Sequence, residues 1–118
     1  MMENSVGTMS PGHQEESNER KANWEISVEQ VRLPHKQITI IKNLDLFVNL
    51  RKLNLMDNNI TKIQGLEQCK LLEELSLEKN KIKIIENITH LKYLKKLDLG
   101  QNRIQKIQNI CYLESLVL

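Results

Sequence analysis

The sequence predicts an α/β solenoid, with short parallel strands stacked on one face and turns or 3-10 segments returning behind them. Three observations predict it. The 118-residue chain resembles itself at a fixed period of 22, the apolar positions of each 22-mer miss any single helical face, and each 22-mer opens on a strand-like alternation.

The register comes first. Aligned at 22, the columns read Val28, Leu50, Leu72, Leu94, Leu116; Val31, Leu53, Leu75, Leu97; and Leu33, Leu55, Leu77, Leu99. Further along each unit stand Ile38, Ile60, Ile82, Ile104; Ile41, Ile63, Ile85, Ile107; Leu44, Leu66, Ile88, Ile110; and Phe47, Cys69, Leu91, Leu113. Every member is apolar, so these columns carry most of the core. A long amphipathic helix with the same period is the rival reading. At about 100° per residue, however, the apolar offsets 0, 3, 5, 10, 13, 16 and 19 scatter round the whole circumference. The opening L-x-x-L-x-L puts two leucines on the same side of a pleat, which makes it a short strand. Strands this short, separated by a whole repeat, must return by a crossover and stack in parallel.

Two further columns carry turn chemistry. Asn58, Asn80 and Asn102 follow each strand leucine by three positions, where an amide side chain can donate to and accept from backbone groups left unpaired as the chain leaves the sheet. Asn43, Gly65, Asn87 and Asn109 fall between apolar positions; Gly and Asn enter left-handed backbone at least cost, so positive φ is expected at all four.

Residues 1–23 have no apolar period and set Glu3, Glu15, Glu16 and Glu19 against Arg20 and Lys21, so they are expected to be a disordered tail. The repeat domain is 24–118, with units starting near 28, 50, 72 and 94 and a truncated fifth from 116. Trp24 and Ile26 are positioned to cap the first coil. Because the register breaks off at Leu116-Val117-Leu118, part-way into a strand, the sequence is expected to be a fragment of a longer protein, a truncated isoform or an incomplete gene reading.

Composition excludes several classes. Seventeen Lys+Arg against fifteen Asp+Glu leave a formal charge of +2, with no polybasic arm. Two cysteines cannot build a disulfide scaffold and suit a reducing compartment. Cys69 lies in an apolar column, as an inert buried thiol would; Cys111 has Thr89 and Glu67 as column mates and reads as nearer the surface. His13, His35 and His90 share no register with the cysteines, so no metal site is expected. No phosphate loop or nucleophile motif stands in the chain, and Glu73-Glu74 points to opposite sides of a strand; an enzyme and a cofactor are not expected.

The segment L50-R-K-L53-N-L55-M-D-N58-N-I60-T-K-I63-Q-G-L66, with its counterparts at 72–88 and 94–110, resembles the 22-residue leucine-rich repeat of the family of protein phosphatase 1 regulatory subunit 7 and related ciliary and dynein-associated proteins. Lys36 departs from this pattern where the later units have asparagine, so the first turn is expected to be irregular. The resemblance implies a non-enzymatic protein-interaction scaffold binding through the concave face of the strands. Its outward positions are Arg32 and His35 in the first unit; Lys52, Asn54, Met56 and Asp57 in the second; Glu74, Ser76, Glu78 and Lys79 in the third; and Lys96, Asp98 and Gln101 in the fourth. Their signs alternate, which suits a protein of mixed charge and disfavours a phosphate backbone. Four strands at about 4.8 Å span only about 14 Å, less than an interface of about 800 Å² per partner needs. The resemblance further implies a cytoplasmic setting, cilium or centrosome included, with a microtubule- or dynein-associated partner. Its alternatives are a regulatory module for a phosphatase catalytic subunit, and a nuclear ribonucleoprotein component. No membrane span and no small-molecule substrate are expected.

Overall fold

The computed structural model describes residues 26–110. The tail expected over 1–23, Trp24, Cys111 and the strand expected from 116 lie outside the described residues. Four strands form, β1 (Gln30–Arg32), β2 (Lys52–Asn54), β3 (Glu74–Ser76) and β4 (Lys96–Asp98). They make one parallel sheet in chain order, with Val31, Leu53, Leu75 and Leu97 in register. Pairing continues past the strands, since the amides of Leu33, Leu55 and Leu77 donate to the carbonyls of Asn54, Ser76 and Asp98 at 2.8–2.9 Å.

The return segments contain turns and bends, with neither α-helix nor 3-10 helix among the described residues. Their hydrogen bonds explain the apolar spacing of three. Phe47 donates to Leu44 and Leu50 to Phe47; Cys69 to Leu66 and Leu72 to Cys69; Leu91 to Ile88 and Leu94 to Leu91. A bond from each amide to the carbonyl three residues back turns the chain once per three residues, so every third side chain points inward. All nine of these residues are buried.

The asparagine column is a ladder. Asn80 Oδ1 accepts from the Ile60 amide at 3.0 Å, while Nδ2 donates to the carbonyls of Leu55, Leu77 and Glu78. Asn58 serves Ile38, Lys36, Leu33, Leu55 and Met56 in the same way, and Asn102 serves Ile82, Leu77, Leu99 and Gly100. One side chain thus satisfies buried groups of two successive coils, and no buried side-chain polar atom among the described residues lacks a partner.

Positive φ occurs at Asn43 (68°), Gly65 (78°), Asn87 (60°) and Asn109 (61°), as expected from the residue types. The choice between Gly and Asn follows the gap between coils. Asn87 Nδ2 reaches the Ile63 carbonyl at 2.6 Å and Asn109 Nδ2 reaches that of Ile85, whereas a Cβ at Gly65 would collide with the corresponding Ile41 carbonyl oxygen. Gln37 also has positive φ (59°), and its equivalents in later units do not, which is the irregular first turn expected where Lys36 replaces asparagine.

The two ends differ from the middle. Ile26 packs against the first coil, its amide donating to Leu46 O at 2.7 Å and its carbonyl accepting from Asn49 Nδ2 at 3.3 Å. At the other end one core expectation is corrected. Ile41, Ile63 and Ile85 are at most 1% exposed, but Ile107 in the same column is 64% exposed, and Leu99, Ile104 and Ile110 are only partly buried. Each coil is buried by neighbours on both sides, and the fourth has a described neighbour on one side only.

Candidate interaction surface

The buried centres of β2, β3 and β4 point into the core, and the strand residues on either side of each centre face out of the sheet. Two rows therefore cross the open face, Gln30, Lys52, Glu74, Lys96 and Arg32, Asn54, Ser76, Asp98, aligned by the strand register. Together they line a shallow depression of about 260 Å³ whose floor includes Val31, Leu53 and Leu75. The other expected surface residues border this face as the chain leaves the strands. Met56 and Glu78 are half-buried there, while His35, Asp57, Lys79 and Gln101 follow at the exposed rim.

That rim holds a feature the residue types did not announce. His35, Asp57, Lys79 and Gln101 all have positive φ, 54–60°. Through the first three coils this conformation goes with pairing. The left-handed residue turns its amide toward the next coil, where Asp57 N donates to Glu78 O at 2.8 Å and Lys79 N to Gly100 O at 2.9 Å. In these three coils the hydrogen bond to the next coil offsets a conformation costing about 1–2 kcal/mol for a residue with a Cβ.

Two pairs of these alternating charges meet within the molecule. Lys52 Nζ lies 3.7 Å from Glu74, and His35 Nδ1 lies 2.5 Å from Asp57 Oδ2. Just below the strands a second ladder runs through all four coils. Arg51 lies 3.9 Å from Glu29 and 2.7 Å from Glu73, and Lys95 lies 3.6 Å from the other Glu73 oxygen. The Arg51 hydrogen bond, helped by Lys95, holds the Glu73 carboxyl below its usual range. Sequence inspection missed this ladder, although Glu29, Arg51, Glu73 and Lys95 alternate in sign at the repeat period.

Nothing in this surface resembles a reaction centre. Cys69 is buried, and burial first, then Glu67 and Asp45, pushes its thiol up to about 11. A thiol so seldom ionised is a poor nucleophile. No group of three or more His, Cys, Asp and Glu among the described residues is placed to hold a metal, and no described helix is long and apolar enough to cross a membrane.

Comparison with known proteins agrees with this geometry. The family described as Leucine Rich repeats (2 copies) matches residues 48–93 and 70–112. The chain belongs to the leucine-rich repeat family. Among solved structures it is similar to internalin C2 from Listeria monocytogenes, at 30% identity and a TM-score of 0.73 over 77% of this chain and 40% of that one. It is also similar to the internalin inlF of that organism, at 28% identity and a TM-score of 0.72 over 81% of this chain and 28% of that one. The functional domain of InlJ, described as including a cysteine ladder, matches at 27% identity and a TM-score of 0.66 over 75% of this chain and 19% of that one. The chain thus spans less than half the length of each. No curated protein gives a significant match.

Proposed function

We propose that this protein is a non-enzymatic scaffold that binds another protein through the open face of its sheet, as part of a larger leucine-rich repeat surface. One observation carries the reading: the strand register holds the outward side chains of four units in two straight rows over a single shallow depression. Such a rigid, polar and mixed-charge surface discriminates partners by charge complementarity rather than by apolar area. Cytoplasm, including cilium or centrosome, is the proposed setting, on the reducing-compartment composition and the repeat class. A phosphatase-regulatory role is the second reading, supported by the same repeat resemblance; the two rows contain no aromatic side chain to serve as an anchor.

Site-specific photocrosslinking in cells tests the proposal. A crosslinker at Ser76, on the open face, is expected to trap a discrete protein, and one at Lys83, in an exposed return segment, is not. Trapping from Lys83 alone, or from neither, overturns the reading. A phosphatase catalytic subunit as the Ser76 product would establish the second reading.

A further inference from the structure

The two rows of the open face handle their charges differently. In the first, each opposite sign has a neighbour: Glu74 lies 3.7 Å from Lys52 and has Lys96 as its register partner on β4. In the second, charge stands only at the ends, Arg32 on β1 and Asp98 on β4, and neither makes an ion pair among the described residues. Between them lie the uncharged Asn54 and Ser76. Intramolecular bonds leave these groups half-used: Asn54 Oδ1 accepts from the Met56 amide at 3.0 Å, leaving Nδ2 to donate, and Asp98 Oδ1 accepts from the Gly100 amide at 3.0 Å, leaving Oδ2.

Span selects the shape of the ligand. Three inter-strand steps of about 4.8 Å separate Arg32 from Asp98 by about 14 Å. An extended peptide at about 3.4 Å per residue covers that distance in four residues, and an even separation puts both terminal side chains on the same face. A helix covers the same distance only between positions about ten apart, at about 1.5 Å per residue, and its backbone groups are bonded internally, which leaves none for the polar side chains between the two charges. We propose that the row Arg32, Asn54, Ser76, Asp98 is a docking lane for an extended protein segment carrying an acidic and a basic side chain four residues apart. The acid faces Arg32 and the base faces Asp98. Asn54 Nδ2 and the Ser76 hydroxyl meet the intervening peptide groups, which an extended chain crossing the strands presents unpaired. This inference rests on the open face being the partner surface and adds the chemistry of what lies on it.

Random dodecapeptides displayed on phage and selected on the full 118-residue chain provide an unbiased test. Enriched sequences are expected to share an acid and a base at a separation of four. Synthetic copies are expected to bind R32A and D98A about three- to fivefold more weakly than the parent protein, the effect of losing one exposed ion pair. Ser76→Lys, which fills the middle of the lane, is expected to abolish binding, with unchanged thermal melts showing that each variant is folded. Peptides without that spacing that are nonetheless lost on Ser76→Lys overturn the lane while leaving the open face as the partner surface. Peptides indifferent to Ser76→Lys bind elsewhere and likewise overturn the lane. Failure to enrich any peptide overturns the lane alone, since crosslinking from Ser76 judges the broader reading independently.

Discussion

Asn58, Asn80 and Asn102 on one side, and Glu29, Arg51, Glu73 and Lys95 on the other, both recur once per repeat and both tie coil to coil, but they do so in different surroundings. Asn58 and Asn80 are 6% exposed and each satisfies several backbone groups, whereas every member of the ionic ladder stands in contact with water. In the dry setting a lost partner strands buried amides and carbonyls; in the wet one, water replaces it. The buried ladder therefore supplies stability. The exposed ladder favours the register in which unlike charges meet and opposes a one-unit slip, which brings Glu29 beside Glu73 and Arg51 beside Lys95.

The sharpest way to break this comparison is Asn80→Ala. It leaves the Ile60 amide and the Leu55 and Leu77 carbonyls with fewer partners inside the core, and is expected to cost about 2–4 kcal/mol in denaturant unfolding. A loss near zero would erase the distinction between the ladders. Next comes Gly65→Ala, expected to cost about 2–3 kcal/mol because a Cβ must enter both a left-handed backbone and the space of the Ile41 carbonyl. Asn87→Gly, in the same column, keeps the backbone comfortable and loses one hydrogen bond to Ile63, so about 1 kcal/mol is expected. Equal losses at the two positions would mean that the gap between coils does not select the residue.

The smallest effect is expected from Glu73→Gln, and it depends on pH. Because Arg51 holds the native carboxyl below its ordinary 4.5, the contribution of Glu73 is complete above that value and is lost as pH falls through the lower native one. Thermal melts of the parent protein should therefore fall more steeply than those of Glu73→Gln from about pH 5 to pH 3. Parallel curves, or a difference that persists at about 1 M salt, would show that the ionic ladder does not act as an exposed electrostatic tie.

Legibility in the sequence followed the same division. Columns such as Leu53, Leu75, Leu97 and the asparagines were readable because burial and backbone satisfaction tolerate few residue types. The left-handed rim at His35, Asp57, Lys79 and Gln101 was not, because those residues have no common side-chain chemistry. Nor was the division of the open face into a row holding the Lys52–Glu74 ion pair and a row holding none, since pairing depends on side-chain reach between strands that lie a whole repeat apart in the chain.

By itself the sequence determined the repeat, the apolar columns, the asparagine ladder and the left-handed sites at Asn43, Gly65, Asn87 and Asn109, because these depend on residue type at a fixed spacing. Only the tertiary structure decided that Gly65 meets the Ile41 carbonyl where Asn87 has room to bond, and which charges of neighbouring strands come within reach of one another. Those outcomes depend on the distance between stacked coils, and that distance is set by how the cores of neighbouring units pack rather than by any one unit alone.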